Sequence, residues 1–230
     1  EMAIKLQHMF SQLSEKKFSH VAMEVSSHGI SQHRIVGVDF NGLIFTNISG
    51  DHLDYHGDIA SYAETKLSIF KREGLDIIIT NIDDDFGKKI VRRHGGDNVV
   101  CYGLQSNIQE FGCKYVAANY INYTMAGTNL KIQSSWGSVN VSTRLIGTGN
   151  VYNILAISAY LLFAGVDLLD LPVIISSLPN IPGRMEVFGG GNKPTVVVDY
   201  AHSEDSFAAV LKFLMAHCSG SLVSVFGCGG

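Results

Sequence analysis

Short, unbroken apolar runs are the feature that most narrows the folds open to this chain. "DIIITN" (76–81) and "NVVCYG" (98–103) set apolar and β-branched residues side by side, with no polar alternation. Strands of that kind are buried on both faces, the condition of a parallel sheet covered by helices. "GLIFTN" (42–47) is a third such run, and "HVAMEVSS" (20–27), which carries Glu24, reads as a fourth. Between these runs the apolar spacing predicts helices over residues 59–70 and in "DDFGKKIVRRHG". Strands alternating with helices argue for a doubly wound, mostly parallel α/β sheet.

The middle of the chain changes period. "CKYVAANYINYT", "TNLKIQSS" and "SVNVSTRLI" alternate and are parted by Gly or Asn turns, which predicts an antiparallel meander appended to the sheet. "GTGNVYNILAISAYLLFAGV" and "LLDLPVIISSLP" return to helix. "FGGGNKP" reads as either a linker or a hairpin. Beyond it "TVVVDY", a helix from Glu204 to His217 and "LVSVFG" predict a new β-α-β unit. A boundary near Pro182–Arg184 therefore divides residues 1–183 from the start of a second α/β unit, 184–230. Glu1 falls within a helical pattern and "LVSVFGCGG" stops at a glycine turn, so the reading expects a piece of a longer protein.

Composition narrows the partners. A formal charge of −4, with no basic run, argues against nucleic acid. No stretch is long and apolar enough to span a bilayer; residues 151–166 carry Asn153 and read as a buried helix. Cys101, Cys113, Cys218 and Cys228 form no CxxC or metal-finger spacing and are expected as reduced thiols of a cytosolic protein.

Ligands of open parallel sheets bind beyond the carboxyl ends of the strands. Glu24, the stretch from Asn47 to His52, and Asp199 are expected at such ends. Carboxylates converging there with a histidine suit magnesium or manganese better than zinc. Each has a plainer alternative: Glu24 as a helix cap, DHLDYHGD as a solvated turn, Asn150 and Asn153 as caps of the helix after "GTG". Lys66 is harder to explain. It shares a helical face with Ile59, Tyr62, Ala63, Ile69 and Phe70, where an ammonium is costly unless its stem snorkels or its head finds a partner. A desolvated neutral amine there could instead take up carbon dioxide as a carbamate.

Taken together, "AMEVSSHGISQHR", "FTNISGDHLDYHGD", "GTGNVYNILA", "IPGRMEVF", "VVVDYAHS" and "VFGCGG" resemble the Mur ligases, in the family's order and over nearly the whole chain. The resemblance implies a P-loop-NTPase-like central domain over 1–183, without its phosphate loop, and the start of a Rossmann-like amino-acid-binding domain over 184–230. It implies an ATP-dependent ligase acting through an acyl phosphate. The expected substrates are UDP-N-acetylmuramoyl-L-Ala-D-Glu, ATP and meso-diaminopimelate, in a monomeric enzyme of the bacterial cytoplasm. Carried over by motif, Glu24, His52 and Lys66 are the expected catalytic and Mg2+-binding residues, with Lys66 carbamylated (N6-carboxylysine). Ser26, Gln32 and Arg34 are expected at the muramyl peptide, and Asn150, Asn153, Arg184, Asp199 and His202 at the nucleotide. Gly50 stands where many relatives carry arginine, and "AHSEDS" replaces a commoner AHTPDA. No G-x-x-x-x-G-K-[ST] is present, so the 230 residues alone are expected not to turn over. The alternatives are the L-lysine-adding ligase, another Mur or folylpolyglutamate ligase, and a nucleotide-binding module without catalysis.

Overall fold

The structure is a computed structural model and describes residues 2–48, 58–104 and 107–227. Helices α1 (Met2–Glu15) and α2 (Ser27–Ser31) precede strand β1 (Gly42–Phe45). Then follow α3 (Ile59–Ser68), β2 (Ile77–Asn81), α4 (Asp85–His94) and β3 (Val99–Gly103). Strands β4 (Lys114–Thr124), β5 (Gly127–Ser134) and β6 (Gly137–Thr143) lead to α5 (Thr148–Phe163) and α6 (Leu171–Ser177). The chain closes with β7 (Glu186–Gly189), β8 (Thr195–Val198) and α7 (Glu204–His217).

One sheet runs β1-β2-β3-β4-β5-β6 in chain order. The first four strands are parallel, and β4–β6 form the antiparallel meander read from the sequence. Every residue of β2 and β3 is buried, as their unbroken apolar composition predicts. Alternate residues then serve two cores. Ile77, Ile79, Val100 and Tyr102 pack with Ile154, Leu155 and Leu162 of α5 and with Ile175 of α6. Ile78, Val99 and Cys101 pack on the opposite face with Ile90 and Val91 of α4, with Phe70, and with Phe45 of β1. A sheet with helices on both faces is thus built, and β1 forms its parallel edge.

The structure corrects several sequence-based expectations. "HVAMEVSS" joins no ladder among the described residues: residues 20–26 form no strand, Ser27 opens α2, and Glu24 is exposed. A run becomes a strand only where a neighbour takes its N–H and C=O groups. Residues 222–227 are likewise exposed and unpaired in any sheet among the described residues, so the expected β-α-β unit is absent there. Instead β8 pairs antiparallel with β7, and "FGGGNKP" is the connection of that hairpin. Its turn needs Gly189, Gly190 and Gly191, all at positive φ. Two of the four cysteines are also paired: Cys101 in β3 and Cys113 just before the adjoining β4 form a disulfide, with Cα atoms 6.6 Å apart. Neighbouring parallel strands brought them together, which spacing along the chain does not reveal. Cys218 is a free, exposed thiol.

Candidate active site

The first cluster lies around α2 and α3. Ser26 is the N-cap of α2, its hydroxyl accepting the Gly29 N–H at 3.1 Å. Gln32 caps the other end, and its Oε1 accepts a hydrogen bond from the Arg34 guanidinium. The structure therefore joins Gln32 and Arg34 directly. Glu24 precedes them, exposed, and accepts no hydrogen bond from any described residue.

Lys66 does not sit as the sequence suggested. On α3, Tyr62 and Ala63 are buried, but Ile59 is exposed and Lys66 is half-buried. Its ammonium lies 4.9 Å from the centre of the Tyr62 ring, an arrangement that offsets part of the cost of leaving water. The buried stripe continues past Lys66 at Ile69 and Phe70, but Lys66 itself is only half-buried, so no large burial penalty has to be explained. α3 itself starts at Asp58, which accepts the Ser61 N–H at 2.8 Å; that bond holds its carboxyl below the usual carboxylate range. His52 and Gly50, with the rest of 49–57, lie outside the described residues.

The second cluster is the start of α5. Asn150 is buried and donates to the Ile146 carbonyl at 2.8 Å, closing the turn before the helix. Asn153, exposed, reaches the Asn150 Oδ1 at 3.5 Å, the outer limit of a hydrogen bond. Gly147 has φ +93°, and a Cβ there would crowd the Met185 side chain. The "GTG" turn thus abuts the start of the 184–202 segment.

That segment is the third cluster. Asp199 accepts the Met185 N–H and the Ala201 N–H, each at 2.8 Å, one on each carboxylate oxygen. Met185 is held at φ +49°, an uncommon conformation for a residue with a side chain. The Arg184 guanidinium lies 4.8 Å from the centre of the Tyr200 ring, and the His202 ring stands edge-on to the same ring at 5.1 Å. Arg184, Asp199 and His202 are therefore gathered around Tyr200 and Met185, beside the turn that opens α5.

A further set of polar residues, unremarked in the sequence, ties these regions together. Asn81 Nδ2 donates to the Thr46 carbonyl at 2.8 Å, and Asp84 Oδ2 accepts the Ile48 N–H at 2.9 Å. The other oxygen of Asp84 caps α4. Tyr102, buried in β3, donates to the Phe45 carbonyl at 3.0 Å, and burial pushes its phenol well above the ordinary value. Asp83 Oδ2 accepts the Tyr152 hydroxyl at 2.8 Å and the Leu104 N–H at 2.6 Å. Tyr152 lies on α5 between Asn150 and Asn153, and its phenol is raised by burial and by that bond. Gly87 lets α4 lie against this end of β2, because a Cβ there would run into the Asn81 carbonyl. The signal was available: three polar residues, Asn81, Asp83 and Asp84, at the carboxyl end of a wholly buried strand. Turn chemistry alone also explains them, so the sequence did not single them out.

Among the described residues, no three His, Cys, Asp or Glu side chains converge as a metal group. Glu24 offers hard carboxylate oxygens that no described residue engages, which suits a magnesium ion. The Lys66 amine offers no anionic oxygen, whereas its carbamate would.

Comparison with known proteins follows the same outline. The Mur ligase middle-domain model matches residues 1–161, and the Mur ligase glutamate ligase domain matches residues 183–230. The UDP-N-acetylmuramoyl-L-alanyl-D-glutamate–2,6-diaminopimelate ligase of Coxiella burnetii is 37% identical over 99% of the chain and 46% of its own length. The enzyme of the same name from Alkalilimnicola ehrlichii is 38% identical over 99% of the chain and 45% of its length. A solved structure of a ligase of that name superposes with a TM-score of 0.76 at 34% identity, covering 98% of this chain and 46% of that one. A folylpolyglutamate synthetase mutant from L. casei (TM-score 0.67, 17% identity, 91% of this chain and 50% of that one) shares the fold. The chain spans about half the length of the curated relatives it matches.

Proposed function

The chain belongs to the Mur ligase family, and from that premise we propose that it is the core of an ATP-dependent ligase joining meso-diaminopimelate to UDP-N-acetylmuramoyl-L-Ala-D-Glu. The observation that carries this reading is identity of 37–38% along 99% of the chain to relatives bearing the diaminopimelate ligase name. Residues 1–183 serve in it as the nucleotide-binding unit, and 184–230 as the start of the amino-acid-binding unit. The enzyme is read as a monomer of the bacterial cytoplasm, and no described helix is long and apolar enough to cross a membrane.

In the proposed reaction the side-chain carboxylate of D-glutamate attacks the γ-phosphorus of ATP, and ADP leaves. An amine of diaminopimelate then adds to the acyl phosphate, loses its proton, and expels inorganic phosphate. Little covalent chemistry falls to the protein, whose part is to position the reactants and neutralise charge. Arg184, stacked on Tyr200, has its guanidinium fork available for polyphosphate oxygens. Asp199 holds the Met185 and Ala201 amides and so fixes the backbone on both sides of that ring. Asn150 and Asn153 stand beside them at the nucleotide, and His202 faces the same ring. Arg34, tethered by Gln32, suits a substrate carboxylate, with Ser26 nearby at the head of α2. A magnesium ion, when bound, supplies charge neutralisation between carboxylate and phosphates. Glu24, His52 and the carbamate of Lys66 would hold it.

The test uses the full-length gene product and reads phosphate release from ATP in the presence of UDP-N-acetylmuramoyl-L-Ala-D-Glu, with meso-diaminopimelate and L-lysine offered in parallel. Release that requires both the dipeptide nucleotide and diaminopimelate is the expected result. Release with lysine alone would replace the amine, and no release with either would remove the ligase reading.

A further inference from the structure

Three of the four residues before the undescribed 49–57 stretch are held from outside their own strand. The Phe45 carbonyl is held by Tyr102, the Thr46 carbonyl by Asn81, and the Ile48 N–H by Asp84. One residue of the same 81–84 turn, Asp83, reaches the other way and takes the hydroxyl of Tyr152. We propose that the 81–84 turn is a positioning brace. It fixes residues 45–48 relative to the first turns of α5, which carry Asn150 and Asn153. The inference rests on the proposed nucleotide-binding role of Asn150 and Asn153.

The chemistry fits a brace better than a ligand site. Asp83 spends Oδ2 on two bonds, to Tyr152 and Leu104, while its buried Oδ1 has no partner among the described residues. A carboxylate so placed is costly unless the bonds it accepts are strong, and charge-assisted bonds are roughly twice as strong as neutral ones. The Tyr152 hydroxyl at the start of α5 reaches across to the turn that follows β2. α5 has no side-chain N-cap, since Gly147 stands at that position, so its first turn takes its lateral position from packing, from this hydroxyl and from a longer contact of 3.4 Å between the Tyr123 and Thr148 hydroxyls. Losing the hydroxyl leaves the helix formed but frees its first turn to shift. Misplacement of about 1 Å can cost on the order of a hundredfold in a positioned reaction. Tyr152, Asp83, Asp84 and Asn81 are thus positioning residues, acting through Asn150 and Asn153.

The experiment measures ATP·Mg2+ affinity of the full-length protein by calorimetry, beside its thermal midpoint. Tyr152→Phe removes one oxygen and is expected to weaken ATP about tenfold while the midpoint moves by no more than a few degrees. Asp83→Asn keeps an acceptor oxygen and is expected to lie between the parent and Asp83→Ala. The double variant Tyr152→Phe with Asp83→Asn is expected to be no weaker than the poorer single variant, because one bond is being removed twice. ATP affinity within twofold of the parent in Tyr152→Phe would overturn the brace, as would full additivity in the double variant. A parent that binds ATP but never releases phosphate sinks the ligase reading and leaves this test intact. A parent that binds no ATP sinks both.

Discussion

The centre of the sheet and its two flanking segments are built from similar letters and have opposite fates. The cores of "DIIITN" and "NVVCYG" became strands buried along their whole length, whereas "LVSVFG" is exposed and "HVAMEVSS" forms no strand, only Met23 and Val25 reaching the core. Ile79 is 0% exposed and Val225 is 93% exposed. The difference is one of neighbours: β2 has a strand on each side and a helix layer on each face, and the flanking runs pair with no strand among the described residues. Apolar, β-branched composition is permission to be a strand; a partner is what makes one.

Three substitutions test how far that contrast reaches. Ile79→Ala should cost about 3 kcal/mol, because lost burial adds to a cavity that cannot collapse between two layers. Val225→Ala should stay within about 0.5 kcal/mol. Urea denaturation compares them directly, and equal losses would mean that residues 222–227 are buried after all. Gly87→Ala should come next, at about 1–3 kcal/mol, since its methyl would meet the Asn81 carbonyl and lever α4 off the end of β2. A neutral outcome would show that the centre is more compliant than its packing implies. The smallest effect is expected at the rim. Burial, and then Arg93, hold the His94 imidazole below its ordinary value of 6.5, so the folded protein favours the neutral ring. The associated stability is complete above pH 6.5 and declines as the pH falls through that value toward the folded one. The thermal midpoint of His94→Gln should therefore fall less between pH 7.5 and 5.5 than that of the parent.

The same contrast explains what the sequence could and could not disclose. The choice between linker and hairpin at "FGGGNKP" stayed open until β7 and β8 were seen to pair across three glycines at positive φ, whereas β2, β3, the meander and the helices declare themselves by local periodicity. Pairing does not, because whether residues 20–27 have a neighbour is decided elsewhere in the chain. The disulfide between Cys101 and Cys113 was hidden for the same reason. Arg184, Asp199 and His202 were legible through motifs, and the structure gathers them around Tyr200. Lys66 was legible as a position but not as an environment, since helical phase predicts a face and not how much of that face is covered. The Asn81, Asp83 and Asp84 contacts were missed because Asp and Asn after a strand look like an ordinary turn until their partners at residues 46, 48 and 152 are known.

The meander bears on the order in which this molecule assembles. β4 and β5 meet across a two-residue turn, with Thr124 opposite Gly127, and β5 and β6 likewise, with Ser134 opposite Gly137. Such hairpins close little loop and form within microseconds, whereas Gly42 must find Ile77 and Ile78 must find Val99 across whole helices. The parallel strands are synthesised first, yet their pairings are the slow ones. On the ribosome β1, β2 and β3 should wait as exposed apolar runs until β4 emerges to template them. The stretch of translation between residues 45 and 114 is then the interval in which this chain is most open to aggregation and to capture by chaperones.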